Sequence, residues 1–581
     1  VEIARDGRPV AVIVHNGHTE ISPQIPEKPL GVQAGVIPSA VEELQSYLRQ
    51  ITGAELPLVA SLDEAEDRPA IVLDLARRVP GASRRATGEQ AYRIATGGSQ
   101  ITITAANLLG LHNAVYGFLE DHLGCRFYTH RRKYGSHGVR TYLGPGYEVM
   151  PQQPNLTLGH IDDLQEPALA NRGLIFQMGS YPWVLKNRGI GDGDHVSGAR
   201  AAGHNFYHLL PPEDVKRRGA LVEGLFAKHP EFYPMTKDGR RQPDKWNMGI
   251  CGTAEKLPEY LARAIIGDRP EDFSGVVAAA QGDGFVGCHC EACRRLVERE
   301  QSEAAPLILA LNRALDIIGK THPDLQVITF AYFNSLDAPA SLKPHKNLWI
   351  NVVSSAHSKN MAGDQMGPIL DNPANRDYAR ALKQWPQIAP NRVTVWHWDT
   401  YRAEWPSMFY VAPNVRYMHE CGIYGVNPQQ CGGPWHQLLQ WLYMKLAWNP
   451  DADTDALIRE FLEDNYGEAS VPHVWEYLKL GQQAYEDALH VPSAVRWSGW
   501  TRTTMQKIFH AKVREKMIAA MDRAHAAAER SATEQQQANL LEARLESLDR
   551  VVLQAAGYQR SWGPACCAED GKHWYVAGAC P

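Results

Sequence analysis

Between Pro151 and Trp448 the chain repeats one pattern: a short run of β-branched, aromatic or small residues, a turn, then a longer stretch with apolar residues at helical spacing. Extended runs fall at 171–177 (NRGLIFQ), 274–281 (SGVVAAAQ), 325–334 (LQVITFAYFN), 347–355 (NLWINVVSS), 391–399 (NRVTVWHWD) and 422–430 (GIYGVNPQQ). A further segment, Gly203-His204-Asn205-Phe206, reads the same way, and helical patterns intervene at Lys256 to Ile266, Ala305 to Gly319 and Asn375 to Trp385. Strands alternating with helices run parallel, because each crossover returns the chain to the same end of the sheet. About seven such strands over roughly 300 residues predict a (β/α)8 TIM-like barrel, with the eighth strand inferred.

A chain of 581 residues exceeds one compact core, and its texture changes on both sides of the barrel. Residues 1–150 read as an α/β accessory domain. Ser39-Ala40-Val41-Glu42 has the form of a capping box, and Val41, Leu44, Leu48 and Ile51 then recur at helical spacing until Gly53. AIVLDLA from Ala70 reads as a strand, and AYRIATGGSQITITAA from Ala91 as a hairpin around Gly97-Gly98. Leu111, Val115, Phe118 and Leu123 predict a second helix closed by Gly124, with Cys125 to Tyr128 extended beyond it. The barrel is assigned to 151–450 and a helical domain to 451–581, where Ile458, Phe461, Leu462 and Tyr466 begin the pattern. Met505 to Arg530 and Ala538 to Tyr558 look like two long amphipathic helices.

A formal net charge of -6 argues against nucleic acid, since phosphate binding needs a concentrated positive field. The densest basic run, Arg131-Arg132-Lys133, reads as a solvated loop. No apolar stretch approaches the ~20 residues of a membrane span. The first residue is Val1 rather than Met, which suits a removed leader, and Cys566, Cys567 and Cys580 suit disulfides fastening the tail. Both features point to a secreted or periplasmic protein. The oligomeric state is not legible.

Chemistry in a parallel barrel gathers at the carboxyl ends of the strands. The residues there are Arg172, His204, His208, Asp283, Tyr332, Asn334, Ser354, His357, His397, Trp398, Asp399, Gln429 and Trp435. Aromatic faces stack on pyranose C–H groups while polar tips read hydroxyls, so this mixture suits a glycan. Asp283 and Asp399 end two different strands and are the first candidates for a catalytic carboxyl pair; Glu404 and Glu231 stand in reserve. His397 or His204 could act as acid or base, and Arg172 could clamp a sugar carboxylate. Catalysis of this kind needs no cofactor. Cys288, Cys290 and Cys293, with Cys251 upstream, leave three readings open: a four-sulfur structural zinc site, a disulfide plus free thiols, or buried thiols. No His can be paired with a nucleophilic Cys.

The phrases VEELQSYLRQITGAELPL and LLGLHNAVYGFLEDHLGCRFY resemble the accessory domain that precedes the barrel in glycoside hydrolases of families 20 (hexosaminidases) and 67 (α-glucuronidases). GHNFYHLL, HPEFYP, MGICGTAE, GDGFVGCHCEACRR, TFAYFN, VWHWDTY and YMKLAWNPDAD together resemble the bacterial family known as domain of unknown function 4838, part of which is glycoside hydrolase family 163. The second resemblance implies an endo-β-N-acetylglucosaminidase-like hydrolase, retaining and assisted by the substrate's own acetamido group. The second carboxylate then only orients and polarises that group. The sequence departs from family 20 in lacking an Asp-Glu pair at one strand end: Gly284 follows Asp283, and Gln429-Gln430 stand where a late-strand Glu would act. Two alternatives follow: an exo-hydrolase of an acidic sugar, using Arg172, and a glycan-binding barrel without catalysis.

Overall fold

The computed structural model describes residues 1–18, 39–128, 132–134, 140–142, 147–173, 181–189, 204–217, 220–241, 243, 249–282, 287–354, 367–399, 407–430, 435–489, 508–548, 566–567 and 574–575; at 398–399, 429–430 and some other positions this covers the backbone path alone.

The first sheet contains β1 (Val12–Val14), β2 (Leu58–Val59), β3 (Ala70–Leu75), β4 (Tyr92–Gly97), β5 (Gln100–Ala105) and β6 (Asp162–Gln165), in the order β6–β4–β5–β3–β1–β2. Helices α1 (Ala40–Thr52) and α2 (Leu108–Gly117) supply Val41, Leu44, Leu48, Ile51, Leu111 and Val115 to its core. The Ser39 hydroxyl accepts from the Glu42 N–H at 3.2 Å while the Glu42 carboxylate accepts from the Ser39 N–H at 2.8 Å, so the predicted capping box forms. Gly53, at φ 78°, closes the helix. The hairpin pairs Gly97 with Gln100, and Gly98 takes φ 60°. The sheet extends further along the chain than the expected boundary at 150. Leu156–Thr157 pairs with the Glu2–Arg5 strand, and β6 pairs with β4, so the chain leaves this region only after Gln165.

The second sheet is wholly parallel. Its strands are β7 (Asn171–Arg172), β8 (Val276–Ala278), β9 (Gln326–Ala331), β10 (Leu348–Val353), β11 (Val393–Asp399) and β12 (Gly425–Gln430), in the order β7–β12–β11–β10–β9–β8. Helices α3 (Leu257–Ile266), α4 (Glu291–Glu300), α5 (Ala305–Ile318), α6 (Arg376–Ile388), α7 (Val411–Glu420) and α8 (His436–Trp448) accompany them. Alternation divides the strand residues between two faces. Val277, Ala279, Val327, Ala331, Ile350, Val352, Val393, Val395 and Val426 join the core shared with the helices. Ala280, Phe330, Val353 and Trp396 pack together on the other face, as do Ala278, Ile328 and Trp349 below them. Six strands of the TIM-like barrel are thus seen among the described residues. The expected strand at 203–206 is not one of them, and of 171–177 only the first three residues are described.

Beyond the barrel, α9 (Thr454–Tyr466), α10 (Val471–Leu489), α11 (Ala511–Ser531) and α12 (Glu534–Leu548) form the expected helical region. The last helix starts earlier than Ala538. Thr533 and Gln536 exchange side-chain and backbone hydrogen bonds at 3.0 and 3.2 Å, a capping pair that apolar periodicity does not register. Cys566 and Cys567 lie on a two-residue strand, and Cys580 lies outside the described residues.

A buried ionic cluster joins the first sheet's helical layer to the barrel. Arg188 pairs with Glu120 at 3.0 Å and Asp121 at 3.1 Å, and Lys445 on α8 also pairs with Glu120. Burial alone would raise the Glu120 carboxyl, but Lys445 and Arg188 outweigh it and hold the group below its usual value. Glu120→Ala should therefore cost about 3 kcal/mol or more, because two buried cations lose their carboxylate. A fall of several degrees in the unfolding temperature would register it, whereas an unchanged transition would show the cluster to be energetically idle.

Glu300, at the end of α4, accepts from the backbone N–H groups of Ser341 (2.8 Å) and Leu342 (2.9 Å), fastening the chain that enters β10. Burial opposes its ionisation, but these donors win and hold it at about 2, against an ordinary 4.5. The folded value is the depressed one, so its contribution is complete above pH 4.5 and fades as pH falls towards 2. Glu300→Gln should lower stability at neutral pH and flatten the acid limb across that window in a Tm-against-pH series.

Candidate active site

At the carboxyl rim, β8 to β11 bring Ala280, Phe330, Tyr332, Val353 and Trp396 into one buried cluster, with Phe333 against it. The Phe330 ring meets Trp396 edge-on at 5.5 Å and Tyr332 at 6.3 Å, and Tyr332 lies 4.0 Å from Phe333. Residues 330 and 332 share a face because strand side chains alternate. Phe333 takes φ 50° as the chain turns sharply off the strand. The Ser335 hydroxyl secures this turn, accepting from the Tyr332 N–H at 3.2 Å and donating to the Tyr332 carbonyl at 2.9 Å. Gln281, fully buried, donates from Nε2 to Ser335 Oγ at 2.6 Å and to the Phe330 carbonyl at 3.2 Å, locking the end of β8 to the end of β9.

His204 packs its ring on Phe330 (5.8 Å) and Tyr332 (6.3 Å) and places Nδ1 2.7 Å from the Gln281 carbonyl. A carbonyl only accepts, so Nδ1 carries the proton. Beside it, Asn205 pairs with the edge of β8. Its amide nitrogen donates to the Ala278 carbonyl at 2.5 Å, its oxygen accepts from the Ala280 N–H at 2.8 Å, and its own N–H reaches the Ala280 carbonyl at 3.2 Å. The edge of β8 is thereby satisfied without a ladder.

Several expected site residues sit elsewhere. Arg172 is fully buried, its guanidinium donating to the carbonyls of Leu169 (2.6 Å), Ala170 (3.3 Å) and Arg188 (3.0 and 2.5 Å) and to Gln90 Oε1 (2.9 Å). With those donors spent on protein, it cannot clamp a sugar carboxylate. His397 projects into the helix-side layer, stacked on Tyr378 at 6.1 Å with Nδ1 3.3 Å from its hydroxyl. Burial pushes its pKa down to about 4, so it is a neutral core imidazole rather than a ligand at the rim. Trp435 is buried against Tyr477 (5.6 Å) and Tyr466 (6.2 Å), a packing residue instead of a sugar platform. Glu231 lies with His229, whose Nδ1 is 3.1 Å away, and not with the aromatic cluster.

Tyr332 and His204 are at the rim as expected. Asn334 occupies the turn after β9, and His208 the short helix Phe206–Leu209. Ser354 is buried, its N–H bonded to the Trp396 carbonyl at 2.9 Å. β11 and β12 set Trp398 opposite Gln429 and Asp399 opposite Gln430, at the carboxyl end of the sheet; the four side chains lie outside what is described. Asp283, His357 and Glu404 also lie outside the described residues. Asn205, Gln281, Phe330 and Trp396 escaped the sequence reading. The alternation of Phe330 with Tyr332 was the signal available for one of them; a side chain pairing with a sheet edge leaves no such trace.

The four cysteines come together as free thiols. Cys251, Cys288, Cys290 and Cys293 have all their sulfurs within 4.8 Å of one another.

Curled parallel strands, an outer layer of helices and an aromatic rim define an α/β protein of the TIM-like barrel class. Residues 142–479 match the family described as Domain of unknown function (DUF4838), and the chain belongs to that family. No curated protein matches the chain. Among solved structures, a GH138 enzyme targeting pectin rhamnogalacturonan II shares the fold at 12% identity and TM-score 0.50, over 94% of this chain and 69% of its own. A Clostridium perfringens GH89 protein in complex with GlcNAc-α-1,4-galactose matches at 9% identity and TM-score 0.44, over 88% and 60%. A Flavobacterium johnsoniae chitobiase of family GH20 matches at 11% and 0.43, over 96% and 91%.

Asn205→Leu leaves the Ala278 carbonyl and the Ala280 N–H without that amide partner at a buried sheet edge, an expected loss of about 2 kcal/mol or more. Thermal unfolding checks this, and a Tm within a degree of wild type would show that the edge finds another partner.

Proposed function

We propose that this chain is a glycoside hydrolase acting at the carboxyl rim of its barrel, at a β-linked N-acetylhexosamine in a glycan. The observation that carries this reading is the aromatic cluster at the ends of parallel strands, where buried Phe330, Tyr332 and Trp396 back the partly exposed Phe333, a ring on which a pyranose can stack. Asp283 follows Ala280 by three residues and Asp399 follows Trp396 by three, so each is at most ~10 Å of extended chain from that cluster. β8 and β11 are three strand spacings apart, ~14 Å along the curved sheet, and working carboxyl pairs stand ~5 to 9.5 Å apart. The barrel fold shared with the GH138 enzyme supports the glycosidase part of this reading.

In the proposed reaction one aspartic acid protonates the glycosidic oxygen as the C–O bond breaks. The other carboxylate holds the acetamido N–H, so that the acetamido oxygen attacks the anomeric carbon; water then opens the cyclic intermediate and returns the proton to the first group. Glu404, five residues beyond Asp399, is the reserve acid. The acidic-sugar alternative loses its carboxylate clamp with the burial of Arg172 and rests on the family 67-like first domain alone.

Asp283→Asn and Asp399→Asn should each lower turnover of aryl N-acetylhexosaminides and N-glycans by about 100-fold or more. A substrate with a good leaving group should rescue only the variant lacking the acid, which assigns the two roles. Near-wild-type turnover in both variants would refute the pair. An oligosaccharide bound calorimetrically but never cut would favour the glycan-binding alternative, which Gln429 and Gln430 permit.

A further inference from the structure

Three of the four clustered cysteines lie at the start of α4: Cys288 and Cys290 precede it, Cys290 occupying the N-cap position, and Cys293 is in its first turn. Cys251 arrives from a separate loop, its N–H bonded to the Phe232 carbonyl at 2.9 Å. The Cys251 sulfur is 3.6 Å from that of Cys290 and 3.9 Å from that of Cys293. Sulfurs bonded to one tetrahedral ion at ~2.3 Å stand ~3.8 Å apart. A disulfide would need ~2.05 Å. The observed spacing is therefore that of ligands around a common centre.

The surroundings are those of thiolates. The Met235 N–H donates to Cys288 Sγ at 3.3 Å, and Thr253 Oγ1 lies 3.2 Å from Cys293 Sγ. Arg241 sets its positive charge beside Cys251, Cys288 and Cys290, and is itself positioned by donating to the carbonyls of Glu231 (3.1 Å) and Tyr233 (2.6 Å). Four thiolates around a divalent ion carry a net charge of -2, which a nearby guanidinium and N–H donors offset. Three of the four cysteines are buried and Cys290 is partly so, leaving no open coordination position for a substrate.

We propose that Cys251, Cys288, Cys290 and Cys293 bind one zinc ion in a closed structural site. All-sulfur tetrahedral coordination selects zinc, and a closed site holds chain rather than performing chemistry. The ion would join the 251 loop to the chain that enters α4.

Metal analysis of the full chain, purified without added metal, tests this independently of any glycosidase activity. The expected content is one zinc per chain, released when a mercurial blocks the thiols, with cobalt substitution giving the visible bands of a tetrahedral tetrathiolate. Cys290→Ser should lose the metal and Cys421→Ser, at a half-buried cysteine outside the cluster, should keep it. Thr253→Val, which removes only a neighbouring hydroxyl, should keep the fold and weaken zinc about 10-fold. Metal-free protein with four reactive thiols or mapped disulfides, or iron in place of zinc, would overturn the proposal.

Discussion

Parallel pairing is the constraint on which the molecule rests. Once β7 to β12 run in one direction, their carboxyl ends fall on one rim, and whatever follows each strand is delivered there regardless of distance along the sequence. The register shows how: Val353 of β10 stands opposite Trp396, and further along β11 Asp399 stands opposite Gln430 of β12. Residues remote in the chain thus become neighbours of one floor. The aromatic rings there are rigid because backbone hydrogen bonds fix the strands beneath them, which is what a stacking surface for a ring-shaped ligand needs.

The first strand is the weak point of such a sheet. Among the described residues β7 pairs with β12 at two positions, Asn171 and Arg172, a short ladder. Arg172 compensates by binding backbone carbonyls and Gln90, and it stacks on Trp448 at 5.0 Å, while Arg188 lies on the same ring at 4.9 Å. Two guanidinium groups over one indole would repel in water-poor surroundings. Glu120 and Asp121 neutralise Arg188, whereas for Arg172 the carbonyl dipoles must suffice. Burial and the neighbouring Arg188 accordingly push the Arg172 pKa down to about 9. An arginine at a strand end can therefore be a structural bolt, and Gln90 of the accessory region is part of what holds β7 in place.

Local signals in the sequence carried the fold well. The capping box at Ser39, the Gly97-Gly98 hairpin and the β-branched runs of β9 to β11 depend on neighbours within a few residues, so they are written out in the chain. The barrel's polarity then located the rim and, with it, Tyr332 and His204. What the sequence did not reveal were choices made by tertiary contacts. Arg172, His397 and Trp435 have the chemistry of ligand-binding residues, yet each turns toward core: the side of the strand a residue faces depends on parity, and its partner depends on elements far away. Period-two counting along VTVWHWD does separate Trp396 from His397, one for the rim face and one for the helices. The same counting could not foresee that Asn205 would pair with the edge of β8.

That pairing lies in the region between β7 and β8. An eight-stranded barrel would place two strands there; among the described residues the chain from 204 to 254 contributes none to the parallel sheet. Its backbone groups are satisfied partly by the antiparallel pair Val215–Arg217 and Ala220–Val222 and by turns, and partly by side chains: the Asn205 amide on β8, the Tyr233 hydroxyl on the carbonyls of Leu210 and Pro211 (both 3.2 Å), Arg241 on Glu231 and Tyr233. Each of these side-chain contacts is worth about 1 kcal/mol net. At the far end of this segment Cys251 meets Cys288, Cys290 and Cys293 of the chain that leads into α4, and the proposed ion would tie the two together. Among the described residues, side-chain contacts on β8 and, with the proposed ion, the cysteine cluster would hold here what strand ladders hold elsewhere in the sheet.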